Sequence, residues 1–162
     1  MEVLRDRFLI LSILVGVFSS GGAGAQEKIE EEDAVLGAVL REVVDKMVDK
    51  SLIEAGGVAC LSIDPGDAPQ SVPKEFLRGF EKWPVRRGAE CEPRPEGAVE
   101  LATDRPAVLI TAGPIEWMED DEAWVTVRYY RTALLSATRV YRAVLERSGW
   151  VCLGQIIQMS PA

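Results

Sequence analysis

The fold is decided by residues 107–160, which read AVLITAGPIEWMEDDEAWVTVRYYRTALLSATRVYRAVLERSGWVCLGQIIQMS. Four segments of this stretch are rich in β-branched and aromatic residues, namely 107–117, 123–132, 138–147 and 150–160. Acidic residues at 118–122 and the pair Ser148-Gly149 separate neighbouring segments, and such punctuation is typical of tight connections between strands. Consecutive strands usually pair in order, so the sequence predicts a four-stranded antiparallel meander.

Two features of these strands are irregular. Gly113-Pro114 interrupts the first strand, and because proline cannot donate to a central hydrogen-bond ladder, we expect a bulge or a bend at a sheet edge there. The residues around Trp150 and Ile156 are apolar on both faces of their strand. A helix covers one face of a sheet, so the second face is expected to curl over, to be covered by a loop or to form an interface.

A long amphipathic helix is predicted upstream, over residues 26–53. Its apolar residues recur at spacings of three and four and therefore share one stripe: Leu36, Val39, Leu40, Val43, Val44, Met47 and Val48. Gly56-Gly57 follows, and glycine readily adopts the conformation that ends a helix. The acidic run Glu30–Asp33 is interpreted as a solvated helix start, with a cation-binding arm as the alternative.

The middle of the chain is predicted to be less regular. Residues 58–63 form a short apolar strand, and the turn sequence Asp64-Pro65-Gly66-Asp67 ends it. A short helix is expected to start near Val72–Lys74, with proline in its first turn, and to point Phe76, Leu77 and Phe80 inward. Residues 83–97 are rich in proline and glycine and are interpreted as an ordered but irregular connection.

This order of elements resembles the α+β roll of the NTF2-like and cystatin-like superfamilies. The resemblance implies a long N-terminal helix packed on a curved, mainly antiparallel sheet of four to five strands, with a cone-shaped cavity. Residues 141–145 and 149–151 look like the closing hairpin of such domains, and residues 60–63 and 85–91 are similar to small exported bacterial proteins of unassigned function. Enzymes of the NTF2-like group often use an Asp–His pair, and this chain has no histidine, so no catalytic residue carries over.

The N-terminus has the three parts of a secretory signal. Arg5 and Arg7 precede an apolar run at 8–18, and the small residues Ala23-Gly24-Ala25 close the segment. The run is too short to span a bilayer, which needs ~20 apolar residues. We therefore predict a cleavable signal peptide at 1–25 and a single α+β domain at 26–162, exported to the periplasm or the extracellular space without a stable membrane anchor; an uncleaved anchor or a buried helix are the alternatives.

Charge and composition exclude several classes of function. The formal net charge is −8, which argues against nucleic acids and anionic membrane surfaces, since both attract Lys and Arg. The absence of histidine removes Ser-His-Asp and Cys-His catalysis as well as His-ligated zinc. No cofactor or metal site is predicted, and the acidic cluster at 116–122 is interpreted as a charged hairpin tip rather than a calcium loop.

The three cysteines are expected to meet oxidising conditions after export. We favour a disulfide between Cys60 and Cys91, because it ties the first strand to the connection where hydrophobic restraint is weakest. Other pairings and the absence of any bridge stay open, since sequence does not fix connectivity. Cys152 lies in an apolar segment and is interpreted as a buried, inert thiol rather than a nucleophile.

The leading functional hypothesis is an exported, non-enzymatic binding module that takes a small ligand or a protein partner on the sheet or in its cavity. Trp117, Tyr129 and Tyr141 are candidate pocket residues, although strand aromatics more often belong to the core. The alternatives are a histidine-free NTF2-like hydrolase or isomerase, which needs a buried carboxylate beside a tyrosine, with Glu116 and Glu146 as candidates, or a structural protein that forms a homodimer.

Overall fold

The computed structural model describes residues 22–48, 52 and 54–156. Most of the predicted signal peptide, and the predicted strand beyond residue 156, lie outside this range. One long helix, α1, spans Gly22–Met47. Nine strands follow within the described residues: β1 Val58–Ile63, β2 Gln70–Ser71, β3 Val85–Arg87, β4 Cys91–Arg94, β5 Gly97–Glu100, β6 Ala107–Glu119, β7 Glu122–Thr132, β8 Leu135–Glu146 and β9 Gly149–Gln155.

The main sheet has the strand order β2-β1-β6-β7-β8-β9, with β3 pairing along the same edge of β1 as β2. Strands β6 to β9 pair antiparallel in sequence order, so the predicted meander is confirmed. Strand β1 instead runs parallel to β6 and to β3. The protein is therefore α+β with a mixed, mainly antiparallel sheet, and the resemblance to an NTF2-like or cystatin-like roll stays an expectation.

The expected count of four to five strands is too low. The main sheet has seven strands, and β4 and β5 form a separate two-stranded sheet. The added strands of the main sheet are β2 at 70–71 and β3, which forms together with β4 and the start of β5 in residues 83–97, predicted to be irregular. These strands have only two to four residues. Strands β2 and β3 pair with the distant β1, whereas β4 and β5 pair with each other.

The bulge predicted at Gly113-Pro114 is present. The register between β6 and β7 shifts between Ala112 and Ile115, and the Gly113-Pro114 peptide is cis. Gly113 has a φ of +114°, and a Cβ at this position would overlap the backbone of Asp64. The alternative of a bend at a sheet edge is wrong, because β6 lies between β1 and β7.

Helix α1 packs on one face of the main sheet, called here the inner face. Its predicted stripe is buried there, with Val39, Leu40, Val43 and Val44 fully inaccessible to solvent. The helix begins at Gly22, before the predicted start at 26, and ends at Met47. In the rest of the predicted range Leu52 is again helical, and residues 49–51 and 53 lie outside the described residues. The acidic run at 30–33 therefore lies beyond the first turn, which contains no acidic residue, and the small residues at 22–25 supply the added N-terminal turn.

The short helix between β2 and β3 is confirmed as a 3-10 helix, Lys74–Gly79. It follows Pro73 directly, and Phe80 just after it is buried at 1% exposure. Phe76 and Leu77 pack against the same core, as expected. The ring of Phe80 lies 5.8 Å from that of Phe76, so this segment adds an aromatic side wall to the core around α1.

The opposite, outer face of the main sheet is covered in part by the β4–β5 hairpin. A small cluster of buried side chains forms between them, consisting of Val58, Cys60, Ala98 and Ala107, with Cys91, Leu109 and Tyr130 packed around it. The predicted disulfide, Cys60–Cys91, is formed and crosses this layer. Coverage of the second face is thus confirmed near β1 and β6, whereas Leu153 of β9 stays 54% exposed.

Candidate functional site

The largest cavity described here lies between the N-terminal half of α1 and the bulged part of the main sheet, and we call it the helix–sheet cavity. Its volume is about 480 Å³. Helix α1, the end of β1, strand β2 and the β6 bulge contribute its lining residues, namely Ile29, Glu32, Asp33, Leu36, Ile63, Asp64, Pro65, Gln70, Pro114 and Ile115. The cavity exists because the bulge interrupts β6 where α1 crosses it.

The bulge and the β1 turn hold each other in place. The amide of Asp64 donates to the carbonyl of Ala112 at 2.8 Å. The Asp64 carboxylate accepts from the amide of Gly66 at 2.9 Å and forms an ion pair with Arg128 of β7. One wall of the helix–sheet cavity is therefore built from fixed backbone, and its side chains are positioned before any ligand arrives.

The charges at this cavity have one sign. Its ionisable lining side chains are Glu32, Asp33 and Asp64, and no lysine or arginine lines it among the described residues. Arg128 compensates Asp64. Lys28 approaches Glu32 only to 4.0 Å, and both side chains are well exposed, so this pair contributes little.

A second concave site, the rear groove, lies where α1 meets the edge strand β9. It has a volume of about 350 Å³ and is lined by Ala38, Arg41, Glu42, Asp45, Lys82, Trp83, Trp150, Val151 and Cys152. Its two carboxylates pair with lysines: Lys82 lies 3.3 Å from Asp45, and Lys46 lies 2.5 Å from Glu42. The hydrogen bond and charge of Glu42 raise the pKa of Lys46, and Arg41 is the remaining charged side chain that lines this groove.

Cys152 is the cysteine that the disulfide leaves over, and it is half-buried. Burial is the main cause that raises the pKa of its thiol, and the Glu42 charge adds to the effect, whereas a backbone hydrogen bond from Gly154 and the Lys46 charge lower it. A thiol with a raised pKa carries little of the reactive thiolate. This setting agrees with the inert thiol predicted from the sequence.

The three aromatic residues predicted to line a pocket share the inner face of the sheet but not one cavity. Tyr141 is part of the core at 2% exposure, and burial raises the pKa of its hydroxyl. The Tyr129 hydroxyl accepts a hydrogen bond from Arg139 at 3.2 Å. Trp117 packs edge-on against Trp150 at 5.6 Å between ring centroids and lines a separate depression of about 430 Å³ beside Lys28 and Glu31. None of the three lines the helix–sheet cavity or the rear groove.

The sequence analysis missed an ionic cluster on the outer side of the sheet, centred on Glu100. Glu100 is the one charged residue that is buried among the described residues. Its carboxylate accepts from Arg86 Nε at 2.7 Å and from Arg105 at 2.9 and 2.8 Å, and Thr103 donates to it as well. The Thr103 hydrogen bond, opposed by burial and supported by both arginines, lowers the pKa of Glu100 to about 2.

The carboxylates named for the enzyme alternative are not in a cavity. Glu116 and Glu146 are both exposed. Asp120 and Asp121 form the turn between β6 and β7, which confirms the charged hairpin tip. Within the described part of the chain, no group of three or more Cys, Asp or Glu residues is arranged to hold a metal ion, and no helix has the length and apolar character needed to cross a membrane.

The chain matches no protein-family model, no curated protein and no solved structure. The residues of the helix–sheet cavity are therefore assigned from their geometry and chemistry alone.

Proposed function

We propose that this protein is an exported, non-enzymatic binding module and that it holds a small ligand in the helix–sheet cavity. The observation that carries the proposal is the cavity itself, whose volume of about 480 Å³ falls within the ~300–1,000 Å³ typical of small-molecule sites. Its lining combines aliphatic walls with a few polar groups, the usual composition of such sites. The rear groove is smaller, and both of its carboxylates are already paired with lysines.

The placement of the cavity on regular elements supports binding rather than a packing defect. Leu36, on the buried stripe of α1, is 7% exposed, and Ile63 and Ile115 are partly buried at the core margin. These side chains come from a helix and two strands of the main sheet. A site on rigid elements loses little conformational entropy when it binds a ligand.

Export is supported by the leader-like sequence at 1–25 and by the disulfide. Cys60 is buried at 1% exposure, and its bridge to Cys91 is expected to persist only in an oxidising compartment. Secretion of the full-length chain should yield a product that begins at Gln26, which intact-mass measurement will test. Retention of Met1 with all three thiols reduced contradicts export.

A hydrolase or isomerase has weaker support. Such a site needs a buried carboxylate with a pKa near the working pH, beside a tyrosine. The buried carboxylate Glu100 has its pKa lowered to about 2 and is occupied by two arginines and Thr103, so it is a poor proton donor at neutral pH. Glu116 and Glu146 are exposed to solvent, so neither is the buried carboxylate that this alternative needs.

A homodimer stays an alternative role, favoured by the exposed Leu145 and Leu153, at 44% and 54% exposure, near the open edge of the sheet. Light scattering on the mature chain distinguishes it from the proposed function. A stable dimer that binds no ligand supports the assembly role, whereas a monomer that binds a probe supports the cavity.

The binding experiment uses N-phenyl-1-naphthylamine, an uncharged apolar dye that becomes fluorescent when it leaves water. The mature protein is expected to bind it saturably, at one site. Ile115→Trp places an indole ring in the cavity, where it occupies the volume that the dye needs. The variant should therefore bind the dye about tenfold more weakly or worse. The matched control, Leu153→Trp, adds the same side chain at an exposed position outside the cavity and should leave affinity unchanged. Failure of the wild-type protein to bind the dye, or equal affinity in Ile115→Trp, overturns the proposal.

A further inference from the structure

We propose that the ligand of the helix–sheet cavity is an amphiphilic cation, with an aliphatic body and an ammonium or guanidinium end. This inference rests on the proposed function and adds the chemical class of the ligand. It is carried by the lining of the cavity, which combines aliphatic side chains with three carboxylates and contains no lysine or arginine among the described residues.

The aliphatic interior is formed by one face of α1 and by the two strands opposite it. Ile29, Glu32 and Leu36 are spaced at three and four residues and therefore lie along one side of the helix. Leu36 is buried at 7% exposure, whereas Ile29, two turns earlier, is 60% exposed. The depth of burial thus runs from the mouth at Ile29 to the floor at Leu36, and an aliphatic chain lying along this path would remove Ile29 from water and contact the already buried Leu36.

The mouth carries the charge. Asp33 is exposed and Glu32 is half-buried on the same stretch of helix. Asp33 makes no ion pair or side-chain hydrogen bond within the part of the chain that the structure describes. An aliphatic ligand whose head lies at this mouth meets uncompensated negative charge, which attracts a cation and repels an anion.

The cationic side chains of Arg128 and Lys28 add little positive charge to the mouth of the cavity. Arg128 is bound to Asp64, and it does not line the cavity. Lys28 lies 4.0 Å from Glu32 with 68% of its side chain exposed, so solvent screens its effect on the cavity mouth. The net charge of −8 acts over a longer range in the same direction, because it raises the local concentration of cations.

The test is competition against N-phenyl-1-naphthylamine by three ligands with the same aliphatic chain: decyltrimethylammonium, 1-decanol and decyl sulfate, each below the concentration at which it forms micelles. The cation is expected to displace the dye at about tenfold lower concentration than decyl sulfate, with decanol between them. Raising the salt concentration should reduce the difference between the displacing concentrations of the cation and the anion, because the mouth of the cavity is open to solvent.

Paired variants separate the charge of the mouth from the charge of the whole protein. Glu32→Gln combined with Asp33→Asn should reduce the preference for the cation to about threefold or less. The control, Glu30→Gln combined with Glu31→Gln, removes the same charge from the same helix at positions that do not line the cavity, and it should keep most of the preference. The control variant should bind the uncharged dye as the wild-type protein does, and the preference of each variant is measured as the ratio of the concentrations of cation and anion that displace the dye.

The outcomes distinguish the two proposals. If the wild-type protein binds the dye but decyl sulfate competes as well as the cation, or if the preference survives Glu32→Gln/Asp33→Asn, the ligand class is wrong and the binding function stands. If the wild-type protein does not bind the dye at all, the proposed function fails and takes this inference with it.

Discussion

The inner and outer faces of the main sheet are covered by different physical means. On the inner face, α1 buries a continuous aliphatic stripe against the central strands. On the outer face, the cluster buried between the β4–β5 hairpin and the main sheet has only four residues, and the hairpin contributes one of them, Ala98. The hairpin is also held by the Cys60–Cys91 disulfide and by the ion cluster around Glu100.

The contrast teaches where a small domain needs restraints other than burial. Ordering each residue costs roughly 1–2 kcal/mol of backbone entropy, and an amphipathic helix recovers this cost by removing aliphatic area from water. The hairpin offers little such area, and its two strands pair over only four residues each. The disulfide and the buried ion cluster stabilise the outer face, where little apolar area is buried. The two faces are therefore expected to respond to different mutations.

The largest effect is expected from removing the disulfide. Cys60→Ala combined with Cys91→Ala opens a loop with a sequence separation of 31, and the chain-entropy model gives a loss of about 4 kcal/mol in the free energy of unfolding. Urea denaturation of the oxidised wild-type protein and the double variant measures it. Cys152→Ala serves as the control, with an expected change of about 1 kcal/mol or less. A loss below about 1 kcal/mol in the double variant means that the hairpin does not depend on its cross-link.

A truncation on the inner face should have the next largest effect. Leu40 of α1 is fully buried, and Leu40→Ala is expected to lower the free energy of unfolding by about 3 kcal/mol through lost burial and a residual cavity. When Leu40→Ala is combined with the disulfide variant, the total loss in the free energy of unfolding should equal the sum of the two separate losses to within about 0.5 kcal/mol, because the sheet separates the two sites. Strong non-additivity in urea denaturation would show that the two faces are stabilised as one unit.

The same contrast explains how much of the fold could be predicted from the sequence. The helix and strands β1 and β6 to β9 carry their own periodic signals, so they were predicted within a few residues. Strands β2 to β5 have two to four residues each, which is too short for a periodic pattern. Strands β2 and β3 pair with β1, which lies beside β6 in parallel, and no local signal marks that non-local choice. Strands β4 and β5 pair with each other.

The helix–sheet cavity was foreseen only in part, for the same reason. The bulge at Gly113-Pro114 followed from the chemistry of proline, but the cavity also needs Ile63 and Gln70, which the topology brings to it from elsewhere in the chain. The predicted pocket of Trp117, Tyr129 and Tyr141 was chosen by residue type, which does not distinguish a cavity wall from the core. The positions of Glu100, Arg86 and Arg105 in the sequence follow no spacing pattern that would indicate an ionic cluster.

Acid should weaken the outer face through Glu100. Its folded-state pKa of about 2 lies below the ordinary value of 4.5, so its contribution is fully present above pH 4.5 and is lost as the pH falls toward 2. Between pH 6 and pH 3 this group should account for about 2 kcal/mol of lost stability. Glu100→Gln lacks that titration. The difference in the free energy of unfolding between wild type and variant, measured by urea denaturation, should therefore decrease by this amount on acidification. If that difference in the free energy of unfolding does not change with pH, Glu100 does not stabilise the outer face through its low pKa.

The smallest effect is expected where charges meet in full solvent. Lys82 lies 3.3 Å from Asp45, and both side chains are more than half exposed, while its ammonium sits 3.9 Å from the Trp83 ring centroid. Exposed contacts of these kinds contribute about 0.5 kcal/mol each, so Lys82→Gln should change the free energy of unfolding by no more than about 1 kcal/mol. Salt should remove most of this difference, whereas the Glu100 cluster should resist screening because its carboxylate is buried. Urea denaturation at low and high salt compares the two directly. If Lys82→Gln is as costly as Glu100→Gln, burial is not what separates the ionic contacts of this protein into strong and weak ones.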